Sequence, residues 1–168
     1  MSNQPETRPE FYFPEDEDSW IAGLFSGIEQ VWDGVSQIAR YVKEMITDSV
    51  APAGLVPPGI ILHDGMITTD APVRVSEDVL LPHLQILIQT ETVLEPGVLI
   101  KSGTIIGKGV EIRQGAYLRG RVVIADGAVV GHVTEVKNSV FFAGAEAGHF
   151  AYVGDSILGR RVNLGAGT

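Results

Sequence analysis

The sequence predicts a mainly β protein, a parallel β-helix of hexapeptide repeats preceded by an amphipathic helix. Two observations carry this: large aliphatic residues recur at every sixth position, and glycine, 20 of 168 residues, falls at fixed places within that period. Steps of six from Ile88 meet Ile88, Leu94, Ile100, Ile106, Ile112, Leu118, Ile124, Val130, Val136 and Phe142. Four residues after each of these, as far as Val136, stand Thr92, Val98, Thr104, Val110, Ala116, Val122, Ala128, Thr134 and Val140, all small or β-branched. Gly97, Gly103, Gly109, Gly115 and Gly127 each come one position earlier. An amphipathic helix repeats every three to four residues and a simple strand every two, so neither explains a period of six. A hexad is one short strand plus a tight turn. Three of them close a triangular coil of about 18 residues, and stacked coils pair their strands in parallel. The large aliphatic then points to the axis, the small residue fills the corner, and glycine relaxes the turn backbone.

The earlier elements read in order. Residues 1–17, rich in acids and carrying Pro5, Pro9 and Pro14, form a flexible acidic lead-in. Residues 18–46 form a helical segment, with Ile21, Leu24, Phe25, Ile28, Val31, Trp32, Val35, Ile38, Val42 and Ile46 at helical spacing and Ser19 or Asp18 as its cap. Gly23, Gly27 and Gly34 each cost about 1 kcal/mol in a helix interior. They mark either close backbone approach or a break into two shorter helices. The segment is expected to cap the open N-terminal coil or to pack between subunits. Membrane-surface binding is the lesser option, because its polar face is largely acidic despite Arg40 and Lys43. Residues 47–60, with Pro52, Pro57 and Pro58, are a linker. The β-helix occupies 61–168, opening with a shorter run of the repeat at Ile67, Val73 and Val79. Its phase slips after Phe142 and returns at Tyr152, Leu158 and Leu164. The interval from Ala145 to Phe150 is therefore where a site is expected. Thr168 falls inside the hexad begun at Leu164, so the β-helix is expected to be C-terminally incomplete, with an open edge.

Composition narrows the function. A net charge of −9 argues against a general nucleic-acid binder. No apolar run reaches the length of a membrane span, and the start lacks the pattern of a signal peptide. The absence of cysteine excludes disulfides and thiolate metal sites and is compatible with a cytoplasmic location. His63, His83 and His132 share no ligand spacing, so no metal site is expected.

Lys101, Arg119 and Lys137 are spaced by one coil each, and each directly follows an inward aliphatic. All three therefore project outward on one face, stacked about 4.8 Å apart. Like charges so arranged repel unless something negative neutralises them. Either the column is an anion site suited to a phosphate, with arginine supplying a bidentate fork, or it is a solvated edge balanced by Glu95, Glu111 or a neighbouring subunit's acids.

Three motifs are more specific than the hexads: Glu135-x-Lys137-Asn138, Gly148-His149-x-x-Tyr152-x-Gly154-Asp155 and Asn163-x-Gly165-Ala166-Gly167-Thr168. Together they resemble the C-terminal domain of the bacterial bifunctional N-acetylglucosamine-1-phosphate uridyltransferase/glucosamine-1-phosphate acetyltransferase family, and its stand-alone sugar nucleotidyltransferase-like relatives. The resemblance implies a left-handed coil, a homotrimer, and an acetyl-CoA-dependent N-acetyltransferase acting on an amino-sugar phosphate. It matches His149 to the base that deprotonates the sugar amine and Glu135 to the carboxylate that orients it. Arg119, Lys137, Tyr152 and Asn163 match residues that hold the sugar phosphate, and Lys101 extends the same column. A neutral imidazole can take the amine proton and a carboxylate can hold its tautomer. The plainer alternatives are a loop histidine capping backbone groups or packed at a trimer seam, a Tyr152 that belongs to the inward ladder, and an Asn163 that serves a turn. Two departures matter. The nucleotide-binding uridyltransferase part has no counterpart, and the family continues beyond Thr168 into the coils that bind acetyl-CoA. A transferase is therefore expected of a completed chain. The alternative is a non-catalytic sugar-nucleotide binding or assembly module.

Overall fold

The computed structural model describes residues 5–12, 19–49, 51 and 55–168. Pro14, the acids from Glu15 to Asp18, and Pro52 lie outside the described residues. Among the described residues, three six-stranded sheets form the sides of a β-solenoid. One face comprises Val79–Leu81, Ile86–Ile88, Thr104–Ile106, Val122–Ile124, Ser139–Phe141 and Ile157–Leu158. A second, here the cation face, comprises Ile60–His63, Met66–Thr69, Leu99–Lys101, Tyr117–Leu118, Glu135–Lys137 and Tyr152–Gly154. The third comprises Val73–Arg74, Val93–Leu94, Glu111–Ile112, Val129–His132, Glu146–His149 and Asn163–Leu164.

From Ile86 onward every strand pairs in parallel with the strand one coil later, so Ile88, Ile106 and Ile124 align, as do Ile100, Leu118 and Val136. These aliphatics are fully buried and fill the axis. The hydroxyls of Thr92 and Thr134 sit buried at corners and donate to the backbone carbonyls of Gly107 and Ala147 in the next coil. They satisfy groups that the narrow interior would otherwise strand.

The first coil departs from the expected parallel stack. Met66–Thr69, Val73–Arg74 and Val79–Leu81 pair antiparallel with Leu99–Lys101, Val93–Leu94 and Ile86–Ile88. Ile67, Val73 and Val79 do point to the axis, as their spacing predicts. The chain then reverses through the 3-10 turn Pro82–Leu84 and a left-handed Gln85 and winds back. Periodicity cannot show this, because an inward residue every sixth position reads the same in either direction.

The phase slip also lies elsewhere than expected. Register pairs Ile124 with Phe141 and Phe141 with Leu158, steps of 17 rather than 18. One residue is missing at each of two stacked corners, Asn138 and Asp155, both left-handed (φ 49 and 51). The tract Ala145–Phe150 is itself in phase. Phe141 takes the axis and Phe142 turns outward. Likewise Val153 takes the axis and Tyr152 is 55% exposed, which corrects the inward placement of Tyr152.

The helical segment neither caps the N-terminal coil nor stands free. It breaks at a left-handed Gly27 into the short turns Ser19–Ala22, Gly23–Phe25 and Val31–Asp33, followed by the helix Gly34–Asp48. Ile38, Tyr41, Val42 and Ile46 of that helix pack on the outward residues of the first face, Leu87, Ile105, Val123 and Val140, with Phe25 against Phe142. Burying each such side chain contributes about 1.5–3 kcal/mol. Buried Tyr41 donates its hydroxyl to the carbonyl of Trp20, and burial pushes its phenol above the ordinary range. No described helix is long and apolar enough to cross a membrane.

The axis column sets stability. Leu118→Ala should cost about 2–5 kcal/mol in chemical denaturation, whereas Leu99→Ala, one position off the axis on the same face, should cost less than about 1 kcal/mol.

Candidate functional site

Parallel pairing on the cation face turns sequence spacing into two outward columns. Leu118 aligns with Ile100 and Val136, so Lys101, Arg119 and Lys137 succeed one another directly up one column. The second column carries Leu99, Tyr117, Glu135 and Tyr152. Each cation has a partner. Lys101 Nζ lies 5.6 Å from the centre of the Tyr117 ring, a cation–π distance. Arg119 Nη1 donates to Glu135 Oε1 at 2.6 Å, and Glu135 raises the guanidinium further above its ordinary value. Lys137 Nζ lies 3.6 Å from Asp155 Oδ2. The neutralising acids are thus Glu135 and Asp155. Glu95 instead accepts the backbone N–H of Gln114, and Glu111 pairs with Arg113.

The two shortened corners are clamped together by Asn138 Nδ2, which donates to Asp155 Oδ1 at 2.6 Å. That hydrogen bond, with added positive charge from Lys137 and Arg121, holds the Asp155 carboxyl below its ordinary range. Ser139 reinforces the corner. Its Oγ donates to Lys137 O and accepts the N–H of Ser156.

His149 stands where the third face turns into the cation face, exposed and paired in register with His132. Two Gly-His dipeptides are stacked here, and the close approach of the coils requires the glycine of the first, Gly131. A Cβ on Gly131 would lie 1.6 Å from the carbonyl oxygen of Gly148. His132 Nδ1 donates to Gln114 O at 3.0 Å. The structure does not join His149 to Glu135, whose carboxylate is engaged by Arg119 instead. Nor does it bring Asn163 to the cations. Asn163 pairs with Glu146 on the third face. Arg119, Lys137, Glu135 and Tyr152 therefore share one face, His149 stands at its edge, and Asn163 lies around the corner. Among the described residues no three His, Asp or Glu side chains gather in a metal-binding arrangement.

Sequence reasoning quoted Asn138 and Asp155 in its motifs and Phe150 in the expected interval but gave them no role, and it missed Val133. A signal for the first pair was available, since two positions are lost between Val136 and Leu158 relative to strict hexads. Asn138→Ala should raise the Asp155 pKa toward the ordinary carboxylate range in a carbon-detected NMR titration. Because the folded-state pKa is depressed, the contribution of this carboxylate to stability is present above its unfolded pKa and fades as pH falls through the folded value. The variant should therefore lose less stability on acidification than the parent.

Known proteins resemble the chain over a limited stretch. No family model matches the chain. A stretch of 53 residues is 47% identical to "Bifunctional protein GlmU" of Xanthomonas campestris pv. campestris and 51% identical to the proteins of that name in Burkholderia vietnamiensis and Burkholderia multivorans. It spans 32% of this chain and only 12% of each relative. The identity over this stretch and the stacked parallel coils together fit a hexapeptide-repeat domain of the GlmU type.

Proposed function

We propose that the cation face is the acceptor site of an N-acetyltransferase that acts on an amino-sugar phosphate in sugar-nucleotide biosynthesis. The observation that carries this reading is the outward column of Lys101, Arg119 and Lys137 beside His149 and Tyr152, in a chain whose relatives over 53 residues are named as the bifunctional protein GlmU. Arg119 and Lys137 would take the phosphate, Arg119 as the planar donor and Lys137 as the more loosely held charge. Tyr152, exposed beside Glu135 in the same column, would line the sugar. His149 would accept the amine proton as the nitrogen attacks the acyl carbonyl, so no covalent enzyme intermediate is required. Acetyl-CoA would supply the acyl group, and we assign none of the described residues to the coenzyme A moiety.

A trimer belongs to the same reading. The helix covers one face and leaves two open, and the expected phosphate contacts are split between them, with Asn163 on the third face and Arg119 on the cation face. A neighbouring copy setting its third face against the cation face would complete the set. The second reading, a non-catalytic binding or assembly module, is favoured by a different observation: Arg119 and Lys137 both already hold carboxylates of their own chain.

Turnover of acetyl-CoA separates the two readings, and calorimetry with glucosamine-1-phosphate tests the acceptor site that the first requires. Arg119→Ala and Lys137→Ala should each weaken binding by about 1.5–3 kcal/mol if each makes a charged hydrogen bond. Unchanged affinity in both variants would return the column to a solvated edge. Light scattering should give a trimer, and a stable monomer at working concentration would remove the contribution of Asn163.

A further inference from the structure

Each coil places one residue in the left-handed region where the third face turns into the cation face. Up the stack these are Gly97, Gly115, Val133, Phe150 and Gly167, with φ of 78, 70, 51, 49 and 74. Glycine adopts this conformation freely, whereas a β-branched or bulky residue is strained there. Two consecutive coils nevertheless carry large apolar side chains at this corner, and both face solvent, Val133 at 48% and Phe150 at 61% exposure. Exposed apolar surface and unfavourable backbone both oppose stability. Strain of this kind persists only where the surrounding structure imposes it, and it clusters at functional sites.

The contacts of Phe150 indicate its role. Its ring meets His132 edge-on, centroids 5.6 Å apart at 84°, and meets His149 at 6.4 Å and 73°. His132 is itself anchored to the backbone at Gln114. Among the described residues the His149 ring makes no hydrogen bond, and the carboxylate expected to orient it is held by Arg119. An aromatic edge contact is directional, because the ring's negative face attracts the positive edge of its neighbour. A chain of contacts thus runs from Gln114 through His132 and Phe150 to His149.

We propose that Phe150 is a positioning residue for His149, set at a strained corner in place of glycine so that its ring fixes the imidazole beside the cation column, with Val133 stacked one coil below. This rests on the reading of His149 as the proton acceptor. The ring narrows the orientations open to His149 and shields one of its edges from water. The imidazole is then presented in one arrangement before the acceptor arrives.

Phe150→Gly tests this in the full chain, because glycine is what the next coil, at Gly167, and the two earliest coils, at Gly97 and Gly115, carry at this corner. The thermal midpoint is expected to rise by about 2–4 °C as the strain is relieved. Meanwhile the three-bond side-chain couplings in the NMR spectrum of His149 should move from those of one rotamer to the averaged values of an unconstrained histidine. Phe150→Leu, which keeps bulk and strain but lacks the aromatic ring, should lose the rotamer preference without the gain in midpoint. A His149 spectrum unchanged in both variants overturns the proposal. So does a lowered midpoint in Phe150→Gly, which would show that the side chain serves stability. Glucosamine-1-phosphate binding equally to the wild type and to Arg119→Ala would sink the acceptor-site reading instead, while the His149 spectra still decide the positioning role.

Discussion

The axis of a three-sided coil has room for one large side chain from each strand and little else. That limit organises the whole β region. Ile88, Leu94 and Ile100 fill one layer, and Ile106, Ile112 and Leu118 fill the next. Backbone pairing holds successive layers about 4.8 Å apart, so the interior is a continuous aliphatic column rather than a cluster. A large residue one position off the axis has no place inside and must face outward. Phe142 and Tyr152 do so, once Phe141 and Val153 have taken the inward positions.

Because the inward positions are set by packing, the outward ones are set by register, and register assembles the surface. Arg119 and Lys137 are 18 residues apart in sequence yet adjacent in space. The two shortened corners alter the register of the strands after them. By removing one residue at Asn138 and another at Asp155 they rotate the phase, and they bring Asp155 within 3.6 Å of Lys137 while Asn138 ties both corners together. A strict hexad at the first of these corners would turn Phe142 rather than Phe141 to the axis.

The outward faces differ in how their demands are met. The first is apolar and covered by the helix Gly34–Asp48, an arrangement that hides Leu87, Ile105, Val123 and Val140 from water. The cation face is balanced internally, by Glu135 on Arg119, Asp155 on Lys137 and the Tyr117 ring beside Lys101. Pairs of this kind stand in solvent, which screens them, so they fix the arrangement of the side chains more than they stabilise the fold. The corner beside His149 runs against stability, with Val133 and Phe150 in left-handed backbone and open to solvent. Covered, balanced and strained surfaces thus lie side by side on one rigid support.

The period of six was legible in the sequence because each coil repeats the same steric problem, and the solution is written as Ile, Leu or Val at the axis and Thr, Ala or Val at the corner. The outward column of Lys101, Arg119 and Lys137 came from the same arithmetic. The tertiary structure decided what arithmetic is blind to. Direction of winding was one such matter: the first coil runs antiparallel, since Ile67, Val73 and Val79 need only reach the axis and can do so from either sense. The place of the slip was another, because losing a residue at Asn138 or a few positions later gives nearly the same string, and only pairing of Ile124 with Phe141 separates them. Side-chain partners were the third. Glu135 lies within reach of several groups in sequence terms, and its choice of Arg119 over His149 depends on which outward column each occupies, a matter of three-dimensional register rather than of composition.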